Sequence, residues 1–289
     1  MTEANKEAQI PQGTVRYREL GPAGGEPIVF VHGLLVNGRL WERVAPLLAE
    51  NGIRCFLPDW PMGSHLVPMN EDADLGGYGQ ARNVADFIGG VGLEQATLVG
   101  NDSGGAISQI VATEHPEVVS RLILTNCDSF DKFPPAMFGY LKPVSRIPGG
   151  IAVLAQSMRI PASRRLPISF GSLSKKRLDG ELLAEWVRPL ISDGAIRRDA
   201  GKFIRGIHPD QTRKAAKKLA DFKGPALFPW ASEDRFFKLA DAERLAEIIP
   251  DARVVPIEDA KTFVSLDQPE RVAEAIASFV AEKKPAAVG

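Results

Sequence analysis

The sequence predicts an α/β protein: a mostly parallel central sheet flanked by helices, with a helical cap inserted between two of its strands. Short runs apolar on both faces, most of them ending in Gly, Asp or Asn, alternate with helical stretches, and strands buried on both faces and separated by helices form parallel sheets. The rhythm stops after Asp128 and resumes at about residue 222. A chain that leaves a sheet for so long and then returns to it must carry the insertion over the strand ends.

In chain order, a pair of strands is expected within residues 13 to 21. PIVFVHG (27 to 33), IRCFLPD (53 to 59), QATLVGN (95 to 101) and SRLILTN (120 to 126) follow. Proline and glycine clusters, PP at 134 and PGG at 148, open the insertion, whose helical segments include LDGELLAEWVRPLISDG and RKAAKKLADF. PALFPWA (225 to 231) and RVVPIED (253 to 259) complete the sheet. The expected division is a core of residues 1–128 and 222–289 and a cap of residues 129–221. There is no internal repeat and no low-complexity tract.

Composition bounds the partners. Hydrophobic residues at 44% and charged residues at 25% are ordinary for a globular chain of 289 residues, and a net charge of -1 argues against nucleic acid. The two cysteines, Cys55 and Cys127, sit in strand-like runs and read as reduced thiols of a cytoplasmic protein. MTEANKEAQIPQG lacks an apolar leader core, and nothing downstream approaches about 18 uninterrupted apolar residues, so neither secretion nor stable membrane insertion is expected. The tail KKPAAVG reads as a frayed end, and a monomer or homodimer is expected. Charge is unevenly divided: residues 129–221 hold 18 Lys and Arg against 8 Asp and Glu. That excess fits a solvated helical surface, a cap clamped on an acidic core, or a basic approach for an anionic substrate or membrane surface.

The stretch LVGNDSGGA (98 to 106) carries the chemistry. A G-x-nucleophile-x-G turn needs small residues on both sides, because the backbone pinches between a strand and a helix. Gly100 and Gly104 bracket Asp102, whereas a Ser103 nucleophile would put Asn101 where the turn wants a small residue. Asp102 could also simply cap the following helix. In open α/β sheets ligands bind beyond the carboxyl ends of the strands. The loops there read HGLLVNGRLW, PDWPMGSHLVPM, GNDSGGA, TNCDSF, WASEDRFF and EDAKTFVSLDQPE.

This set, in this order, resembles the α/β-hydrolase superfamily, nearest to its aspartate-nucleophile branch of haloalkane dehalogenases and epoxide hydrolases. The resemblance covers about residues 25 to 128 and 222 to 282. It implies an α/β-hydrolase fold and a hydrolase acting on a small, largely apolar substrate of ester, epoxide or halide type, with Asp102 as nucleophile or base. The backbone N–H groups of Leu34 and Ser103 would form the oxyanion hole, and His32 would buttress the loop that holds Leu34. The acid expected behind a catalytic histidine is Asp234 or, in the alternative location, Asp128. The histidine itself belongs in a G-H-F-x-x-x-D-x-P-E pattern, and this chain reads Lys261-Thr262-Phe263 there, so Thr262 stands where the base belongs. Threonine does not titrate near neutral pH. His65, six residues past IRCFLPD, is the preferred substitute base, and His208 is a second choice. Trp60, Tyr140 and Trp186 are the candidate substrate contacts.

Ser103 and Leu34 stand where dehalogenases of this type carry halide-binding Trp and Asn, and the cap has one tyrosine where epoxide hydrolases usually have two. No zinc-ligand spacing, P-loop or dinucleotide fingerprint is present, so neither metal nor cofactor is expected. The competing reading is a homologue that has lost hydrolysis and binds a ligand.

Overall fold

The computed structural model describes residues 5–282, so the KKPAAVG tail lies outside the described residues. Eight strands form one sheet: β1 (Lys6–Ile10), β2 (Gly13–Leu20), β3 (Pro27–Val31), β4 (Arg54–Pro58), β5 (Ala96–Asp102), β6 (Val119–Cys127), β7 (Ala226–Ala231) and β8 (Ala252–Ile257). Their order is β1-β2-β4-β3-β5-β6-β7-β8. The first two pairings in that order, β1–β2 and β2–β4, are antiparallel and the rest parallel. The central strands are apolar throughout because both faces are covered: β6 is buried at every position.

The first hairpin corrects an expectation. It spans residues 6 to 20, so β1 precedes the interval 13 to 21 expected to hold both strands. β1 is an edge strand with three of its five residues exposed, and its sequence KEAQI therefore reads as polar chain.

Helices α1 (Ala45–Glu50), α2 (Gly77–Gly90), α3 (Ser103–Glu114), α4 (Leu141–Arg146), α5 (Gly150–Ser157), α6 (Pro161–Arg164), α7 (Gly180–Ser192), α8 (Gly194–Gly206), α9 (Pro209–Lys218), α10 (Leu239–Ile248), α11 (Val264–Asp267) and α12 (Pro269–Glu282) complete the chain. α1 packs with α12, and α2, α3, α9 and α10 form a second layer. α4 through α8 pack among themselves. The sheet-flanking layer thus resumes at Pro209, earlier than the residue 222 expected from strand spacing, because RKAAKKLADF lies mostly in α9, which packs on α3.

Between β6 and β7 the sheet opens. Their pairing covers Leu122–Ala226 and Ile123–Leu227 and stops before Pro229, which has no N–H to give a neighbour. Asn126 spans the gap instead: its amide donates to Ala231 O at 3.0 Å and its carbonyl accepts from Ala231 N–H at 2.7 Å. One side chain thereby does the work of a missing ladder rung and carries the end of β7 toward the site.

Candidate active site

Strand order reverses between β4, β3 and β5, and a crevice at such a reversal is where open α/β sheets bind ligands. The loop after β3 brings Leu34 there, and the end of β5 brings Asp102. β5 runs directly into α3, with Asp102 at the junction at φ 53° and ψ −133°. Such a backbone costs on the order of 1–3 kcal/mol for a residue with a side chain and persists only when its surroundings force it. Two close approaches force it here. A Cβ on Gly104 would meet Val31 O at 2.2 Å, so only glycine lets α3 start against the end of β3. A Cβ on Gly33 would meet Asp102 Oδ2 at 2.1 Å, so the carboxylate lies against a bare backbone.

Burial raises the Asp102 carboxyl to about 6, and nearby Asp234 pushes the same way, while the N–H groups of Ser103 and Leu34 and the Ser103 hydroxyl hold it down. Ser103 meets the carboxylate through its hydroxyl as well as its N–H. Its Oγ accepts from Leu34 N–H at 2.9 Å and donates to Asp102 Oδ2 at 3.4 Å. Asp102, Ser103 and Leu34 all line one cleft.

Thr262 is fully buried and donates through Oγ1 to Asp234 Oδ2 at 2.8 Å. Asp234 also accepts from the N–H groups of Phe236 at 2.8 Å and Phe237 at 3.3 Å, and burial still leaves its carboxyl above the ordinary range. The acid of the expected relay is therefore present and bonded to a hydroxyl that does not titrate. Asn101, beside the elbow, donates to Thr262 O at 2.7 Å, Thr125 Oγ1 at 2.9 Å and Asn126 O at 3.1 Å. This amide joins the ends of β5 and β6 to the loop after β8. No motif marks it, because any residue fits the second position of the elbow pattern.

Asp128 follows β6 and faces the same cleft as Asp102. Burial drives its carboxyl well above the ordinary range, and Asp102 adds to the shift. Its Oδ1 is buried without a hydrogen-bond partner among the described residues. A carboxyl that burial biases toward its protonated form therefore shares the cleft with the Asp102 carboxylate.

His65 is not brought to Asp102, which corrects the expectation of a substitute base. Its Nδ1 accepts from Gly63 N–H and its Nε2 lies 3.3 Å from Asp199 Oδ2 on α8. Asp199 also accepts from Met69 N–H at 2.9 Å and from Arg198, so His65 ties the loop after β4 to the cap. His208 caps α9 from an exposed position, its Nδ1 accepting from Asp210 N–H at 3.2 Å. His32 is a buttress: its Nδ1 pairs with Gly33 O at 2.9 Å, its Nε2 accepts from Trp60 N–H at 2.8 Å, and burial holds it neutral with its pKa down at about 3.

Of the three aromatic candidates, Tyr140 lines the cleft, with its hydroxyl donating to Ile168 O at 2.9 Å. Trp60 and Trp186 are corrections. At 1% and 0% exposure they are core residues, Trp60 set edge-on to Phe87 and Trp186 donating to Asn37 Oδ1 at 3.0 Å. The cleft wall is apolar and comes from the cap, with Met158, Phe170, Leu173, Phe203, Ile204 and Ile207. Sequence reasoning missed these residues because the apolar face of a cap helix has the same period whether it meets a core or a substrate. The empty space totals about 740 Å³ with the mouth. Among the described residues, no cluster of three or more His, Cys, Asp or Glu is arranged to hold a metal.

An elbow carboxylate at the reversal of a mostly parallel sheet, with two amides beside it and helices above, defines a class of enzyme. The chain belongs to the alpha/beta hydrolase fold family, whose model matches residues 26–269. It is an enzyme of that fold. Among its relatives, haloalkane dehalogenase 2 of Mycobacterium bovis is 28% identical over 273 residues, covering 92% of this chain and 91% of that protein. The solved structure of haloalkane dehalogenase DbeA from Bradyrhizobium elkani superposes with a TM-score of 0.80 at 20% identity, covering 97% of this chain and 98% of the other. The epoxide hydrolase CorEH gives 0.79 at 20% identity, covering 97% and 99%. At such identities the likeness to solved structures speaks for the fold alone.

Proposed function

We propose that the protein is a hydrolase of small, largely apolar electrophiles, epoxides or activated esters in preference to haloalkanes, with Asp102 as nucleophile and Asp128 as the proton carrier in place of the missing imidazole. The observation that carries this reading is one cleft holding an elbow carboxylate beside a second carboxyl that has a buried, unpartnered oxygen.

For an epoxide, Asp102 attacks a ring carbon, the C–O bond breaks, and the leaving oxygen takes the proton of Asp128. Water then attacks the carbonyl carbon of the aspartyl ester and gives its proton to the Asp128 carboxylate, while the N–H groups of Leu34 and Ser103 face the oxyanion. Collapse releases the diol and returns Asp102 ionised and Asp128 protonated. Haloalkanes are disfavoured because Ser103 and Leu34 offer no side-chain N–H to a departing halide.

A second reading is favoured by the bond from Thr262 to Asp234, which leaves that acid no group to orient. In it Asp102 is alkylated and the ester persists, or the cleft only binds. Intact-mass spectrometry during turnover of a terminal aromatic epoxide separates the two. The expected result is steady turnover, no adduct in Asp102→Asn, and a loss of about 10²- to 10⁴-fold in Asp128→Asn with ester accumulating. Adding Thr262→His to Asp128→Asn is expected to recover turnover, since Asp234 is already in place for an imidazole. Unchanged turnover in Asp128→Asn defeats the Asp128 assignment, and a permanent adduct on the unaltered protein supports the second reading.

A further inference from the structure

From residue 132 to residue 178 the chain has nine Lys and Arg and no Asp or Glu. The same span holds six of the eight large hydrophobic side chains exposed among the described residues: Met137, Ile147, Val153, Ile160, Leu166 and Ile168. Ile160, Leu166 and Ile168 are 61%, 47% and 49% exposed and alternate in sequence with Arg159, Arg164 and Arg165. Of these cations Lys132 and Lys175 pair with carboxylates, and the others meet none among the described residues. Arg164 and Arg165 donate to the backbone carbonyls of Met158 and Leu178, and no described carboxylate bridges to them, to Lys176 or to Arg177. Exposed aliphatic side chains set among unneutralised cations match a surface that is anionic outside and apolar beneath.

We propose that this face of the cap docks reversibly on an anionic lipid bilayer, its aliphatic side chains entering the acyl boundary and its cations lying among the headgroup phosphates. A second cavity supports the assignment. With about 730 Å³ of empty space including its mouth, it is lined by Arg164, Arg165, Lys175, Lys176, Arg177 and Lys261, and among these only Lys175 meets carboxylates, Glu233 and Asp259. It has the charge and room to take a lipid phosphate. Phe170 lines both this cavity and the cleft, and half-exposed Ile168 also lines the cleft, so the two adjoin. A bilayer fits better than nucleic acid, which offers nothing to the exposed aliphatic groups. No described helix is long and apolar enough to cross a membrane, so the association is peripheral.

Flotation of the full chain with vesicles tests this without reference to catalysis. The protein is expected to float with vesicles of phosphatidylcholine and phosphatidylglycerol, to stay behind with phosphatidylcholine alone, and to be released at about 1 M salt, where screening acts within about 3 Å. Lys176→Gln and Arg177→Gln are each expected to lower partition about fivefold. Ile160→Ser with Leu166→Ser is expected to weaken it at every salt concentration with the melting temperature unchanged. Equal flotation with neutral vesicles, no flotation, or retention on heparin or RNA without flotation overturns the proposal.

Discussion

At the scale of single residues, the decisive fact is that Asp102 is held at a pKa of about 6. An ordinary aspartate titrates near 4, so folding raises this group and the linkage has a fixed sign. Its contribution to stability is fully present below about pH 4 and is lost as pH rises through about 6. Asp102→Asn is therefore expected to raise the unfolding free energy by about 1–3 kcal/mol at pH 8 and by much less at pH 4.5, read from urea denaturation at the two values. An equal effect at both would mean the carboxylate is not desolvated. Asparagine tolerates the positive φ of this position, so the substitution leaves the turn intact. The place of Asp102 at the strand-to-helix turn was legible in the sequence because its neighbours are constrained by hard contacts that only glycine satisfies. The fate of the base was not. Being near the right sheet edge says nothing about which way a loop histidine points, and His65 points at Asp199. The partner that Asp234 does have, Thr262, stood in the motif all along but could be read there only as an absence.

At the scale of elements, periodicity located the parallel strands because strands buried on both faces must be continuously apolar. It failed at the edge, where β1 needs only one apolar face, and at the return from the cap, where α9 has the pattern of any amphipathic helix. The opening between β6 and β7 also escaped notice. Pro229 ends the pairing, yet only the fold reveals that Asn126 closes the gap. Asn126→Ala removes both partners of Ala231 and leaves a buried N–H and a buried carbonyl unmatched, at about 1–3 kcal/mol each. The expected outcome is a destabilisation of about 2–4 kcal/mol, seen as a lower urea midpoint, together with slower reaction at Asp102, since the end of β7 leads into the loop that holds Asp234. A drop in stability with the rate at Asp102 untouched would show that β7 can move without disturbing the elbow.

At the scale of the whole molecule, a net charge of -1 conceals two poles. Residues 129–221 carry +10 and the rest of the chain −11. The excess of cations in that span is nearly invisible in overall composition, though plain once its limits are drawn. A molecule of almost no net charge should pass through ion exchangers of either sign, whereas one with separated poles should be retained by both. At pH 7 and low salt the protein is expected to bind a cation exchanger and, separately, an anion exchanger, eluting from each with modest salt. Passage through both would mean that the charges are interleaved in space despite their separation along the chain. With the cap over the carboxyl ends of the central strands, retention by both would make the protein a large electric dipole. A field that barely moves it will turn it, and an anionic surface will meet it cap first.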